Sequence, residues 1–236
     1  MPARREPLGG AVAIPIRGAG QANILDADAM ARLEVAILAA ERDGASAAVL
    51  HGPPGRFAAG ADLGALESLD GPGAHEFARL GSRLFRRMEA SRLWMIAAVD
   101  GHCIGGGFDV ALACDLILAA PGATFRHPGA RIGFPTAYGG NRRLPRRVGR
   151  GRAAEILLGG RTLAAPEAFD LGLVAELVPP DQLCERALRR ASEWVVRPAL
   201  RPFLQEVMRG TGHLSLAAGI ATERAASRLY HAATWR

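Results

Sequence analysis

Three consecutive glycines, Gly105 to Gly107, join the strand-forming run Leu93 to Val99 to the apolar stretch Phe108 to Ala113, so the chain must turn sharply from one buried element into another. A helix that opens at these glycines leaves backbone N–H groups without intrahelical acceptors and presents the positive end of its dipole. The absent Cβ atoms let a ligand approach the backbone. Asp109 falls in the first turn of that helix. The stretch Gly101 to Asp115 is suited to receive developing negative charge, although the same glycines would also serve a turn that only packs.

A second segment narrows the choice. Phe57-Ala58-Ala59-Gly60-Ala61-Asp62-Leu63 follows the apolar run Ala47 to Leu50 and a Gly-Pro-Pro-Gly turn. Together with Gly-Gly-Gly-Phe-Asp and Ala113-Cys114-Asp115 it resembles the crotonase superfamily, the enoyl-CoA hydratases and isomerases. The likeness continues in Ala22-Asn23-Ile24-Leu25-Asp26, in Gly139-Gly140-Asn141-Arg142-Arg143-Leu144, and in Ala165 to Val174. It covers about residues 11 to 180 in unbroken order, which is far more specific than a lone glycine-rich loop.

The resemblance implies that the N–H groups of Ala61 and Gly106 form an oxyanion hole for an acyl-CoA thioester oxygen on its way to an enolate. It implies further that Ala59, Asp62, Leu63, Gly105, Thr136 and Tyr138 lie against the substrate. No metal and no cofactor is expected beyond the coenzyme A of the substrate. Asp109 is the one plausible catalytic acid or base. The hydratases carry a glutamate at that position and a second one where this chain has Gly129, so one acid is shortened and the other is absent. Adding water to an enoyl double bond ordinarily uses two such groups, and efficient hydration is not expected. An isomerase needs only one carboxylate. A malonyl-type decarboxylase, needing little beyond the oxyanion hole, is an alternative, as is a catalytically silent CoA-ester-binding paralogue. His127, beside Pro128, is expected to be a structural hydrogen-bonder, and Tyr138 is a weak candidate for contact with substrate. Asp62 is expected to cap a helix and Asp115 to anchor a loop.

Composition excludes several other classes. All 29 basic residues are arginine, which removes lysine Schiff-base chemistry and a P-loop. The net charge of +6 raises the question of nucleic acid. The densest run, Arg142 to Arg152, has no interleaved aromatic for base stacking, so it is expected to be a solvated or salt-bridged helix face, with a coenzyme A phosphate or a subunit contact as alternatives. Cys103, Cys114 and Cys184 lack disulfide or zinc spacing and are expected to be reduced core residues. The N-terminus shows basic residues without a following apolar stretch, and nothing is apolar enough to span a membrane. A cytoplasmic enzyme without nucleic-acid or membrane partners is expected.

Periodicity predicts strands at Val12 to Ile16, Ala47 to Leu50, Leu93 to Val99, Leu116 to Ala119, Ala123 to Phe125 and Val174 to Val178. It predicts helices from Asp26 to Arg42, with Asp26 as N-cap, and from about Gly73 to Ala90. The recurrence reads as an α/β protein of repeated ββα units, and the resemblance implies a crotonase-like spiral over residues 1–180. Residues 181–236 read as a C-terminal helical oligomerisation region, with helices at Gln182 to Val195, Ala199 to Arg209 and Leu214 to His231. The family habit implies a homotrimer or homohexamer.

Overall fold

The structure, a computed structural model, describes residues 10–61, 64, 68, 70–133, 136, 138–194, 204, 207–208 and 214–234. The chain divides into two compact units, Met1–Ser192 and Glu193–Arg236. In the first, β1 (Ala11–Pro15) leads to α1 (Ala27–Arg42), and three ββα repeats follow. They are β2 (Ala47–His51), β3 (Arg56–Ala58) and α2 (Gly71–Ala90); β4 (Trp94–Val99), β5 (His102–Ile104) and α3 (Gly106–Ala113); and β6 (Leu116–Ala119), β7 (Thr124–Arg126) and α4 (Gly140–Leu157). The unit closes with β8 (Thr162–Ala164), α5 (Ala165–Asp170), β9 (Glu176–Leu177) and α6 (Pro180–Glu193).

The first strand of each repeat enters an all-parallel sheet of order β1-β2-β4-β6-β9. The second enters a smaller sheet of order β3-β5-β7-β8, in which only β8 runs antiparallel. This is the expected spiral of ββα units. Strands covered on both faces become unbroken apolar runs, and Ala47 to Leu50 and Met95 to Val99 are buried throughout. The short second strands were not foreseen at residues 56–58, 102–104 and 162–164, since three residues carry too little periodicity to register. Conversely, the last predicted strand shrinks to Glu176–Leu177, although Ala175 and Val178 continue the hydrogen bonding to Ile117 and Ala119.

Local chemistry sets the helix starts. Asp26 caps α1 by accepting from the Ala29 N–H at 2.7 Å, as expected, and Asp70 caps α2 by accepting from Gly73, two residues earlier than the periodicity suggested. Asp115 accepts from the Met95 N–H at 2.8 Å and so anchors the turn into β6. Helix α6 packs Leu183, Ala187, Leu188 and Ala191 into the first unit. In the second unit α7 spans Leu216–Thr234, whereas the helix expected at 199–209 falls mostly outside the described residues. Among the described residues, no helix is long and apolar enough to cross a membrane.

Asn23 ties the layers together. Its backbone has φ 54 and its side chain is buried. The amide Nδ2 donates to the carbonyls of Ile16 at 3.2 Å and Phe57 at 2.6 Å, while Oδ1 accepts from the Gly18 N–H at 2.6 Å. The flanking backbone pairs with Ala59 in both directions. Replacing Asn23 with alanine strands buried partners, each worth about 1–3 kcal/mol, and adds a left-handed strain of about 1–2 kcal/mol. Urea unfolding of Asn23→Ala should therefore show a loss of roughly 2–5 kcal/mol, and Asn23→Gly, which relieves the strain alone, should lose less.

Candidate active site

Strand β5 ends at Ile104, and Gly105, at φ 54 and ψ −120, turns the chain into α3. The Gly105 N–H is used in that turn, donating to the Arg126 carbonyl at 2.9 Å. Helix α3 then begins at Gly106 directly against the segment that follows β3. A Cβ on Gly107 would lie 2.2 Å from the Ala58 carbonyl oxygen, and one on Gly60 would lie 3.0 Å from the Gly106 nitrogen. Only glycine permits so close an approach. The N–H of Gly106, at the first helical position, has no intrahelical acceptor. Neither it nor the Ala61 N–H donates to an acceptor among the described residues.

Both residues line one cavity of about 650 Å³, whose wall is mainly apolar: Ile24, Leu25, Phe77, Ile104, Pro128 and Ile132 contribute. Of the residues picked out by sequence, Ala59, Ala61, Gly105, Gly106, Asp109, Thr136 and Tyr138 all line it. Asp62 and Leu63 lie outside the described residues. Ala74, Phe77 and Ala78 of α2 were not singled out as site residues, although their i, i+3, i+4 spacing marks one helix face.

The polar end of the cavity centres on Asp109, which is 1% exposed. Thr136 Oγ1 donates to Asp109 Oδ2 at 2.7 Å and itself accepts from the Gly140 N–H at 3.3 Å. Gly140 leaves room for the carboxylate, since a Cβ there would stand 2.2 Å from Oδ1. His127 Nε2 sits 3.5 Å from Oδ2. The expected structural hydrogen bond at that nitrogen is not formed: His127 Nε2 and Asp109 Oδ1 are both buried without a partner. Sequence could name His127 but could not tell whether its ring nitrogen would be occupied.

Nearby groups keep their protons. Burial, followed by the Asp109 charge, pushes the Tyr138 phenol up to about 12. The Tyr138 ring stacks on Phe85 with centroids 5.0 Å apart. Burial pushes the Cys103 thiol well above its ordinary range, with Cys114 and Asp109 adding to the effect. The arginine run is divided in its roles. Arg143 pairs with Glu89 and donates to the Tyr138 carbonyl, while Arg147 donates to the Leu112 and Cys114 carbonyls at the end of α3. Arg152 pairs with Glu155 at 3.0 Å. Part of the run is thus salt-bridged as expected, and Arg147 braces the helix that carries Asp109.

A family model described as enoyl-CoA hydratase/isomerase matches residues 9–233. A crotonyl-CoA hydratase of Syntrophomonas wolfei is 37% identical over 163 residues, covering 68% of this chain and 63% of that protein. A probable enoyl-CoA hydratase of Rhizobium meliloti is 37% identical over 205 residues, covering 86% and 79%. The crystal structure of an enoyl-CoA hydratase from Bacillus anthracis superposes with a TM-score of 0.86 at 28% identity, covering 92% of this chain and 86% of that one.

The Tyr138 environment gives a direct check. Its folded value of about 12 lies above the ordinary 10.0, so its contribution to stability is complete below pH 10 and is lost as pH rises through 12. A tyrosinate absorbance titration of the native protein should show a late step near 12 that vanishes in Tyr138→Phe.

Proposed function

This chain belongs to the enoyl-CoA hydratase/isomerase family, and from that premise we propose that it stabilises the enolate of an acyl-CoA thioester between the Ala61 and Gly106 amides while Asp109 moves a proton at the adjacent carbon. The observation that carries this reading is the close approach of the Gly60 segment to the start of α3, beside a buried carboxylate, in one apolar cavity. Each amide aimed at a developing oxyanion is worth about 3 kcal/mol of barrier in a site that excludes water. Thr136 holds one oxygen of Asp109, and the other is buried against Gly140 without a hydrogen-bond partner.

Hydration by two carboxylates is not available here, because Gly129 lines the cavity without a side chain to contribute. A proton shift between carbons suits the single carboxylate better. The malonyl-type alternative gains less support, since the buried Asp109 carboxylate would face a second carboxylate and no arginine lines the cavity among the described residues. Cys103 and Cys114 are buried and form no disulfide among the described residues, which suits a reducing cytoplasmic setting.

Gly106→Pro deletes one donor and should abolish tight binding of acetoacetyl-CoA in calorimetry; unchanged affinity would remove the oxyanion assignment. Asp109→Asn should leave that binding largely intact but slow exchange of the proton next to the thioester by roughly 10²- to 10⁴-fold, followed by NMR in deuterium oxide.

Self-association through the C-terminal unit accompanies this reading. Met208, Leu216 and Ile220 are exposed there, Leu216 at 82%, and apolar side chains so placed favour burial against another copy. Sedimentation at micromolar protein should show a trimer or a hexamer, and a monomer alone would exclude it.

A further inference from the structure

Two buried polar side-chain atoms stand without a hydrogen-bond partner, and they belong to neighbouring residues that line the cavity. Asp109 Oδ1 and His127 Nε2 are both unpartnered, with Asp109 at 1% and His127 at 5% exposure. A buried polar group left unsatisfied costs about 1–3 kcal/mol, so native proteins keep such groups where a ligand or water will meet them. The two side chains do not satisfy each other. Their contact runs from Nε2 to Oδ2 at 3.5 Å, longer than an ordinary N–H···O bond, and Oδ2 already accepts from Thr136. The Nε2 atom is thus left for a guest in the cavity that both residues line, while Oδ1 packs against Gly140.

His127 is also well placed in the chain. It follows β7 and precedes Pro128 and Gly129, and all three residues line the cavity. Gly129 offers no side chain, and the imidazole of His127 is the titratable group this segment brings to the cavity lining. Tyr138 and Cys103, the other titratable groups near Asp109, hold their protons and so do not compete as bases.

We propose that His127 is the second acid–base group of this site and that, with Asp109, it adds water across the C2=C3 double bond of a 2-enoyl thioester. This rests on the enolate-stabilising reading above. The water oxygen bonds to C3 as the π pair moves toward the thioester oxygen, where the Ala61 and Gly106 amides meet it. His127 Nε2 takes one proton from the water and passes it to the Asp109 carboxylate, whose Oδ2 lies 3.5 Å away. The Asp109 carboxyl group then gives that proton to C2 as the enolate collapses, which restores the neutral imidazole and the carboxylate. Both hydrogens and the oxygen of water are accounted for in the cycle, and no other reactant is consumed. Hydration thereby proceeds without a carboxylate at position 129.

The test separates two reactions of the same site. Exchange of the C2 proton of butyryl-CoA in deuterium oxide needs the amide pair and Asp109, whereas hydration of crotonyl-CoA needs His127 as well. The parent protein should perform both. His127→Gln should lose roughly 10²- to 10⁴-fold in hydration and largely keep exchange, and added imidazole should restore part of the hydration to His127→Ala. Hydration by His127→Gln at the parental rate, or a parent that exchanges C2 protons but does not hydrate, would overturn the proposal while leaving the enolate reading intact. Equal loss of both reactions in the His127 variants would reduce His127 to a support for Asp109 and would also overturn it. Failure of the parent to exchange at all would instead remove the enolate reading.

Discussion

The contact between the segment after β3 and the first turn of α3 is the constraint on which the site depends. Gly107 lies against the Ala58 carbonyl, where any Cβ would collide, and Gly60 against the Gly106 nitrogen, where a Cβ would be tightly crowded. That contact brings two amides from distant parts of the chain to one cavity. Asn23 secures the outer side of the contact, bonding to Ile16, Gly18 and Phe57 while its neighbours pair with Ala59. The spiral makes this possible, since it sets the short second strand of the first repeat beside the helix start of the second.

Electrostatics follow from the same arrangement. Helix α3 is short and apolar, and its start carries unpaired N–H groups toward the cavity while Arg147 satisfies carbonyls at its far end. Burial lowers the pKa of the Arg147 guanidinium, with opposing help from Cys114 and Asp115. Asp109, in the first turn of the helix, is held on one oxygen by Thr136 and has the other buried without a partner. The cavity wall around these groups is mainly apolar, and fixed dipoles act most strongly on a developing charge where such a wall excludes water.

Much of this was legible in the sequence because the determining features are local. The glycine triplet, the Phe57 to Ala61 segment and the Asp26 cap each declare themselves by residue type and spacing. The helices and the longer strands likewise follow from periodicity over five or more residues. Strands β3, β5 and β8 escaped because three residues, held mainly by neighbours distant in sequence, have no pattern of their own. His127 escaped for a different reason. A histidine beside a proline reads as structural until the surroundings of its ring are known, and the nearest carboxylate, Asp109 at 3.5 Å from Nε2, comes from α3. The inward roles of Arg143 and Arg147 were hidden in the same way, since their partners lie 33 or more residues away, apart from the Tyr138 carbonyl.

The central claim is that two backbone amides polarise a thioester carbonyl, and isotope-edited infrared difference spectroscopy of bound crotonyl-CoA labelled at the carbonyl carbon observes that bond directly. Hydrogen bonding from Ala61 and Gly106 predicts a carbonyl stretch shifted to lower frequency than in water, with the shift diminished in Gly106→Pro at saturating ligand. A bound thioester whose carbonyl absorbs at its solution frequency, or above it, would contradict the account.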